Sequence, residues 1–339
     1  MFFSVIIPTY NSRATIGRAL ESFLENDCLD DIEIIIADDV STEPFDDIVE
    51  QYKDKLNIRK IINKIHYGAP YGGREFGAQA AQGEWLCFMD HDDEWLPHAF
   101  DDVKAIILAD DIHNYLITDF YTYNDHTEEW VIVSGNRNWT HGKFYEHKFW
   151  LEQNIHYADT RSCEDINLSV QMACLMDRLG LETHLTPGLF TYIWHQNINS
   201  LSQASGIGEY FFKSFPDYID GTLKVYLDDY LKTDESHMDF YKTNTLSMIC
   251  FLYYYYQGLK YKQNNCPKIP KLYYKKIYEN FKRMKKYFHW TTKSFLNDVK
   301  NDYLGEFDNA RETAKKQIPF FEEESFEHFV KMLPIRSII

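Results

Sequence analysis

The sequence predicts an α/β fold: a mostly parallel sheet flanked by helices, followed by a helical C-terminal region. Short β-branched runs alternate with helical patterns across residues 1–120, as in sheets whose parallel strands are joined by crossover helices. Three of those runs end in polar clusters, which such a sheet gathers along the carboxyl ends of its strands, where ligands bind. After Gln203 the texture changes to helical patterns rich in Tyr, Phe and Lys.

Each element has a local reason. Ser4-Val5-Ile6-Ile7-Pro8 is a short apolar run closed by a turn residue, hence a buried strand. Ala14 to Leu24 carries apolar residues at helical spacing, and Ile32-Glu33-Ile34-Ile35-Ile36-Ala37 is a second strand ending at Asp38-Asp39. Pro44 to Lys55 is helical, Ile58 to Ile65 includes a third strand, and Glu75 to Gln82 is a small-residue helix. Trp85-Leu86-Cys87-Phe88-Met89 is a fourth strand ending in Asp90-His91-Asp92-Asp93, and Asp165 to Leu179 is a later helix. A domain boundary is expected near 205, giving an α/β domain over 1–205 and a helical accessory region over 206–339.

Composition narrows the classes. The 339 residues are 45% hydrophobic and 26% charged, enough for one large core and a smaller one. Met1 to Asn11 lacks a basic leader and a cleavage site, so it reads as a buried strand and not as a signal peptide. The apolar stretch Ile249 to Tyr256 is too short for a membrane span. Six cysteines with no CxxC spacing fit free thiols in a reducing cytoplasm. The net charge of −17 argues against nucleic acid as a partner, because that affinity rests on Lys and Arg contacts to phosphate. The charge is uneven, however: Lys260 to Lys300 holds 12 Lys or Arg against two acidic residues. Within it, Ile277, Phe281, Met284 and Phe288 share one helical face. Residues 271–288 therefore read as a packed helix with a basic outer surface, or as a peripheral contact with an anionic membrane.

The acidic strand end is where chemistry is expected. Asp90, Asp92 and Asp93 can offer carboxylates to one hard cation, Mn²⁺ or Mg²⁺, which fills its shell with diphosphate oxygens and water. Such an ion neutralises the charge that develops on a departing nucleoside diphosphate. The plainer reading of the same residues is a solvated loop that caps a following helix.

Four motifs make the picture specific. Ser4 to Asn11 resembles the opening strand of family 2 glycosyltransferases of the GT-A (Rossmann-like) fold, and Ala37-Asp38-Asp39-Val40-Ser41-Thr42 resembles that family's second-strand segment. Arg74-Glu75-Phe76-Gly77 with Ala81-Gln82-Gly83-Glu84-Trp85 is similar to its RNxG…AxGE stretch, with Glu75 in place of the usual Asn. Asp90-His91-Asp92-Asp93 then falls at the family's DxD. The resemblance implies a nucleotide-sugar site of Pro8, Tyr10, Asp39, Arg74, Asp90, His91 and Asp92. Pro8, Tyr10 and Asp39 would hold the base, and Asp90 and Asp92 the ribose, diphosphate and metal, with Asp93 a further candidate.

Trp139 to Tyr145 with Cys163-Glu164-Asp165 is similar to the family's HGK…ED arrangement, which implies Asp165 as general base of an inverting transfer. Glu164 reads as an acceptor contact or a structural residue, and His141 and Lys143 as contacts to phosphate or acceptor. Tyr192 to Ser202 resembles the closing RxHxxSxS loop, with His195 at the Arg position, Asn197 at the His position, and Ser200 and Ser202 kept. Trp194, His195 and Ser200 are thus further candidates for phosphate or acceptor. The implied reaction moves a sugar, by family habit from a UDP-sugar, to a hydroxyl of a cell-surface glycan, polymer or lipid-linked acceptor. The alternatives are a non-catalytic nucleotide-sugar binding module and a nucleotidyltransferase on a similar sheet. The latter usually carries a Gly-rich phosphate loop after its first strand, and Pro8 to Ser12 has none.

Overall fold

The computed structural model describes residues 1–160 and 164–196. Along the chain these are β1 (Phe3–Thr9), α1 (Ile16–Glu21), β2 (Ile32–Asp38), α2 (Asp46–Glu50), β3 (Asn57–Ile62), α3 (Pro70–Ala80), β4 (Trp85–Phe88) and β5 (Glu94–Trp95). There follow α4 (Ala99–Ala109), β6 (Tyr115–Asn124), β7 (Trp130–Val133), β8 (Lys143–Glu146), α5 (His147–Glu152), α6 (Glu164–Leu179) and β9 (His184–Gln196). The boundary near 205, the accessory region 206–339, the basic segment 271–288 and Ser200 lie outside the described residues. Among the described residues, no helix is long and apolar enough to cross a membrane.

The strands form one sheet in the order β3-β2-β1-β4-β8-β6-β9-β5, with β7 paired to β6. Its first half is parallel: β1 pairs with β2 from Phe3↔Ile32 to Thr9↔Asp38, and with β4 from Phe3↔Trp85 to Ile6↔Phe88. Every residue of β1 and β2 is buried, which is why both read as continuous apolar runs and not as alternating ones. Beyond β4 the sheet is mixed, with β8 antiparallel to β4 and β6, and β9 parallel to β6.

Strand alternation feeds two cores. Phe3, Val5 and Ile7 pack with Phe23, Phe100 and Phe144 on one face, while Ile6, Leu86 and Phe88 meet Tyr145, Trp150 and Met172 on the other. Helix α3 starts at Pro70, earlier than the sequence pattern suggests, because proline at the first turn loses no helical hydrogen bond. Gly83 has its own reason within the Ala-x-Gly-Glu stretch: a Cβ there would lie 2.6 Å from the β1 backbone at Ser4, and its N–H donates to Ser4 Oγ at 2.7 Å.

Gly77 sets how closely α3 lies on β1, since a Cβ there would sit 2.3 Å from Cγ2 of Ile6, which is fully buried. Gly77→Ala gains about 1 kcal/mol of helix propensity but overfills a packed seam at a cost of about 1–3 kcal/mol. The overfilling is expected to win, lowering the urea midpoint at an unchanged denaturant slope.

Candidate active site

The ends of β1 and β2 are tied into one rim. Asn11 Oδ1 accepts from the backbone N–H of Thr42 (2.8 Å) and Glu43 (3.0 Å), and Asn11 N–H donates to Ser41 Oγ at 2.9 Å. Ser41 Oγ in turn donates to Asp38 Oδ1 at 2.5 Å. Val40, a β-branched residue, sits between them at φ +63°, a conformation that costs its side chain energy. Asp39 is buried, and its carboxylate accepts from Asn63 Nδ2 (2.8 Å) and from the N–H groups of Tyr67 and Gly68 (both 2.9 Å). Asp39 thus folds the 66–68 segment under the rim. Pro8 is buried below, while Tyr10 is 43% exposed with its ring 4.4 Å from that of His66. Pro8, Tyr10 and Asp39 are therefore brought to one place, with an open aromatic face above an anchored carboxylate.

The guanidinium of Arg74, from α3, is buried between two carboxylates. Nη2 donates to Asp90 Oδ1 at 2.6 Å and Nη1 to Glu164 Oε1 at 2.5 Å. Burial disfavours its charge, but these two carboxylates more than offset it and hold the guanidinium ionised. Burial alone would raise Asp90; the nearby Arg74 charge reverses that and holds it below the usual carboxylate range. Glu75, where the family resemblance expects Asn, accepts from Tyr157 N–H at 3.0 Å and pins the loop before α6.

Asp165 lies in the first turn of α6, beside Glu164. Burial, reinforced by the Glu164 carboxylate, pushes it up to about 7, and Arg74 and Lys143 oppose the rise. That value suits a group that must exist as a base near neutral pH. Lys143, from β8, is fully buried, and desolvation lowers it to about 7. Its Nζ donates to the carbonyl of Arg137 (2.6 Å) and to Ser169 Oγ (3.1 Å), so it fastens the 137–143 loop to α6.

Asp93 is buried at the other end of the acidic turn. Its Oδ2 accepts from Tyr192 OH at 2.6 Å and its Oδ1 from His195 N–H at 2.8 Å. Burial and the charges of Asp92 and Asp90 drive its pKa well above the usual range. Asp92 is partly buried, which raises it, and its carbonyl accepts from Arg18. His91 Nδ1 is hydrogen-bonded to Thr15 Oγ1 at 2.8 Å. His141 packs between the rings of Tyr192 and Trp194, both 5.1 Å away. Burial lowers its imidazole to about 4, so it is neutral. His195 is held at both ring nitrogens, by Asp125 (2.8 Å) and Glu94 (2.7 Å). Burial works against its charge, yet the hydrogen bonds with these two carboxylates raise its pKa.

One ligand atom from each of Asp90, Asp93 and His141 lies within 4.8 Å of the others, and Asp92 is not part of that group. The three fit a divalent ion, because His141 Nδ1 is buried without a hydrogen-bond partner. Sequence patterns did not single out Arg18, Glu94, Asp125 or Tyr192. The signal for Tyr192 was two-residue spacing: in β9 it shares a strand face with Trp194, and both rings flank His141. Glu94 and Asp125 carried no signal, being 101 and 70 residues from His195.

Arg74→Met leaves Asp90 and Glu164 facing each other without a cation. Breaking a buried pair of this kind costs about 3 kcal/mol or more, read as a fall in thermal midpoint. Arg74→Lys is expected to recover only part of it, since an ammonium does not span two carboxylates as a planar fork does.

Residues 4–162 match the family model described as glycosyl transferase family 2. The poly(ribitol-phosphate) β-N-acetylglucosaminyltransferase TarS of Staphylococcus aureus is 36% identical over 108 residues, covering 32% of this chain and 19% of that protein. The GalNAc(5)-diNAcBac-PP-undecaprenol β-1,3-glucosyltransferase of Campylobacter jejuni is 35% identical over 97 residues, covering 28% of this chain and 31% of that protein. The matches to these curated relatives thus span only 19% and 31% of their lengths. Among solved structures, S. aureus TarS 1–349 in complex with UDP superposes with a TM-score of 0.56 at 17% identity, covering 96% of this chain and 95% of that one. Its complex with UDP-GlcNAc gives 0.54 at 19% identity, covering 94% and 82%. That likeness is one of fold. Residues 4–162 thus carry the resemblance to the family 2 glycosyltransferases, on a chain whose parallel β3-β2-β1-β4 half and acidic turn closing β4 have the GT-A fold of the solved neighbours.

Proposed function

We propose that the chain is an inverting glycosyltransferase that moves a sugar from a nucleoside diphosphate donor, a UDP-sugar, to a hydroxyl of a cell-surface glycan or similar polymer. The observation that carries this reading is the Arg74 bridge. It joins the acidic end of β4 to the helix start that bears Asp165, so that a donor-side carboxylate and a base belong to one buried network. Their environments push the two groups apart: Asp90 is held ionised by Arg74, and Asp165 is raised to about 7. The relatives support the same chemistry. TarS is named for β-N-acetylglucosaminyl transfer to poly(ribitol-phosphate) and has been solved with UDP-GlcNAc, and the C. jejuni protein is named for β-glucosyl transfer to a lipid-linked glycan. A β linkage from an α-linked nucleotide sugar is the product of inversion.

In this reading Tyr10 covers the nucleobase over the rim that Asp39 anchors. Asp90 and Asp92, the sequence candidates at the acidic strand end, would hold a divalent ion there, which would supply neutralisation of the charge on the departing diphosphate. Asp165 takes the acceptor proton as the hydroxyl oxygen bonds to the anomeric carbon, and the bond from that carbon to the diphosphate oxygen breaks with its electron pair leaving on phosphate. Residues 1–205 form the catalytic domain, and 206–339, with its basic segment 271–288, serve acceptor or anionic-membrane contacts.

Three measurements test this reading. Calorimetry with UDP, GDP and TDP is expected to show Mn²⁺-dependent binding of UDP alone; a folded protein that binds no nucleotide would sink it. With UDP-sugar, kcat/KM is expected to rise as pH climbs through about 7 and then level off, because the ionised form of Asp165 is the active one. Asp165→Asn is expected to lower kcat by about 10²–10⁴-fold with UDP affinity retained. An unchanged rate would remove Asp165 from the role.

A further inference from the structure

We propose that His141 is a protein ligand of the divalent ion, sharing it with Asp90 and Asp93, and that its nitrogen makes the site select Mn²⁺ over Mg²⁺. This rests on the donor-site reading above and names ligands beyond the Asp90–Asp92 pair. The imidazole Nδ1 lies 3.8 Å from Asp93 Oδ2, too far for a hydrogen bond. A cation about 2.1 Å from each of two atoms spans up to about 4.2 Å between them, so one ion fits the gap. Nδ1 is buried and has no other partner, in a protein where the acidic turn is otherwise densely hydrogen-bonded.

The surroundings are built to hold the ring and its companion carboxylate still. His141 stacks between Tyr192 and Trp194 with interplanar angles of 28° and 21°, and meets Phe120 edge-on at 5.3 Å. Tyr192 OH also donates to Asp93 Oδ2, the outer-shell bond that commonly orients a ligating carboxylate. The two other histidines near the turn are already engaged: His195 at both nitrogens, and His91 through Nδ1 to Thr15. Two carboxylates with one imidazole favour a first-row transition ion, whereas Mg²⁺ prefers an all-oxygen shell rich in water.

The test is electron spin-echo spectroscopy of the full-length protein with Mn²⁺ and UDP. A ¹⁴N coupling is expected, replaced by a ¹⁵N coupling when the protein carries ¹⁵N-histidine, and lost in His141→Gln together with about tenfold or more of Mn²⁺ affinity. His91→Gln and His195→Gln are expected to keep the coupling. They assign it to His141 even if His141→Gln does not fold, and loss of the coupling in either variant overturns the proposal. Bound Mn²⁺ with no nitrogen coupling also overturns it, and leaves the donor site standing. Failure of UDP and Mn²⁺ to bind at all would instead remove the donor-site reading itself.

Discussion

A guanidinium cannot shed its proton in a protein, so burying one forces the chain to surround it with acceptors. Arg74 is only 4% exposed, and the chain meets that demand with Asp90 from the end of β4 and Glu164 from the start of α6. Three elements distant in sequence are thereby obliged to converge. The convergence depends on backbone proximity as well as charge, because Arg74 rides on α3 and the glycine face of that helix lets it settle on β1. A bulkier α3 would carry the guanidinium away from the sheet, and the two carboxylates would lose their common cation.

From this bridge the electrostatics of the site divide. On the strand side, Asp90 is kept ionised by Arg74, and Asp93 is kept in place by Tyr192 and by the backbone of β9. On the helix side, Asp165 is raised by burial and by its neighbour Glu164, while Lys143 is lowered by its own burial. The result is one carboxylate that stays charged and another whose ionisation falls near neutral pH, within a single network. His195, Glu94, Arg18 and Asp125 form a second layer that binds the acidic turn to β9 and to the β6–β7 hairpin.

Legibility in the sequence followed burial. Strands β1, β2 and β4 are covered on both faces, so their apolar runs stand out, and the polar residues that end them stand out equally. The far half of the sheet was harder to read. There β6 and β9 run parallel with register shifts at Thr118 to Phe120, β8 runs antiparallel between β4 and β6, and β5 has only two residues. Such pairings leave no periodic trace. The motif glycines were visible as letters, but the contact each makes, with Ile6 or with the β1 backbone, is a fact of packing.

By itself the sequence determined the α/β order of elements and the polar strand ends at Asp38 to Ser41 and at Asp90 to Asp93, because these depend on local composition and spacing, whereas the stretches around His141 and Asp165 stood out only by their resemblance to the family's HGK…ED arrangement. Only the tertiary structure decided which of them meet. It joined Arg74 to Glu164 across 90 residues, bracketed His195 between Asp125 and Glu94, and set His141 beside Asp93 with a free buried nitrogen. The physical reason is that hydrogen bonds and ion pairs act over a few ångströms in space, and sequence separation carries no record of which buried groups will end up that close.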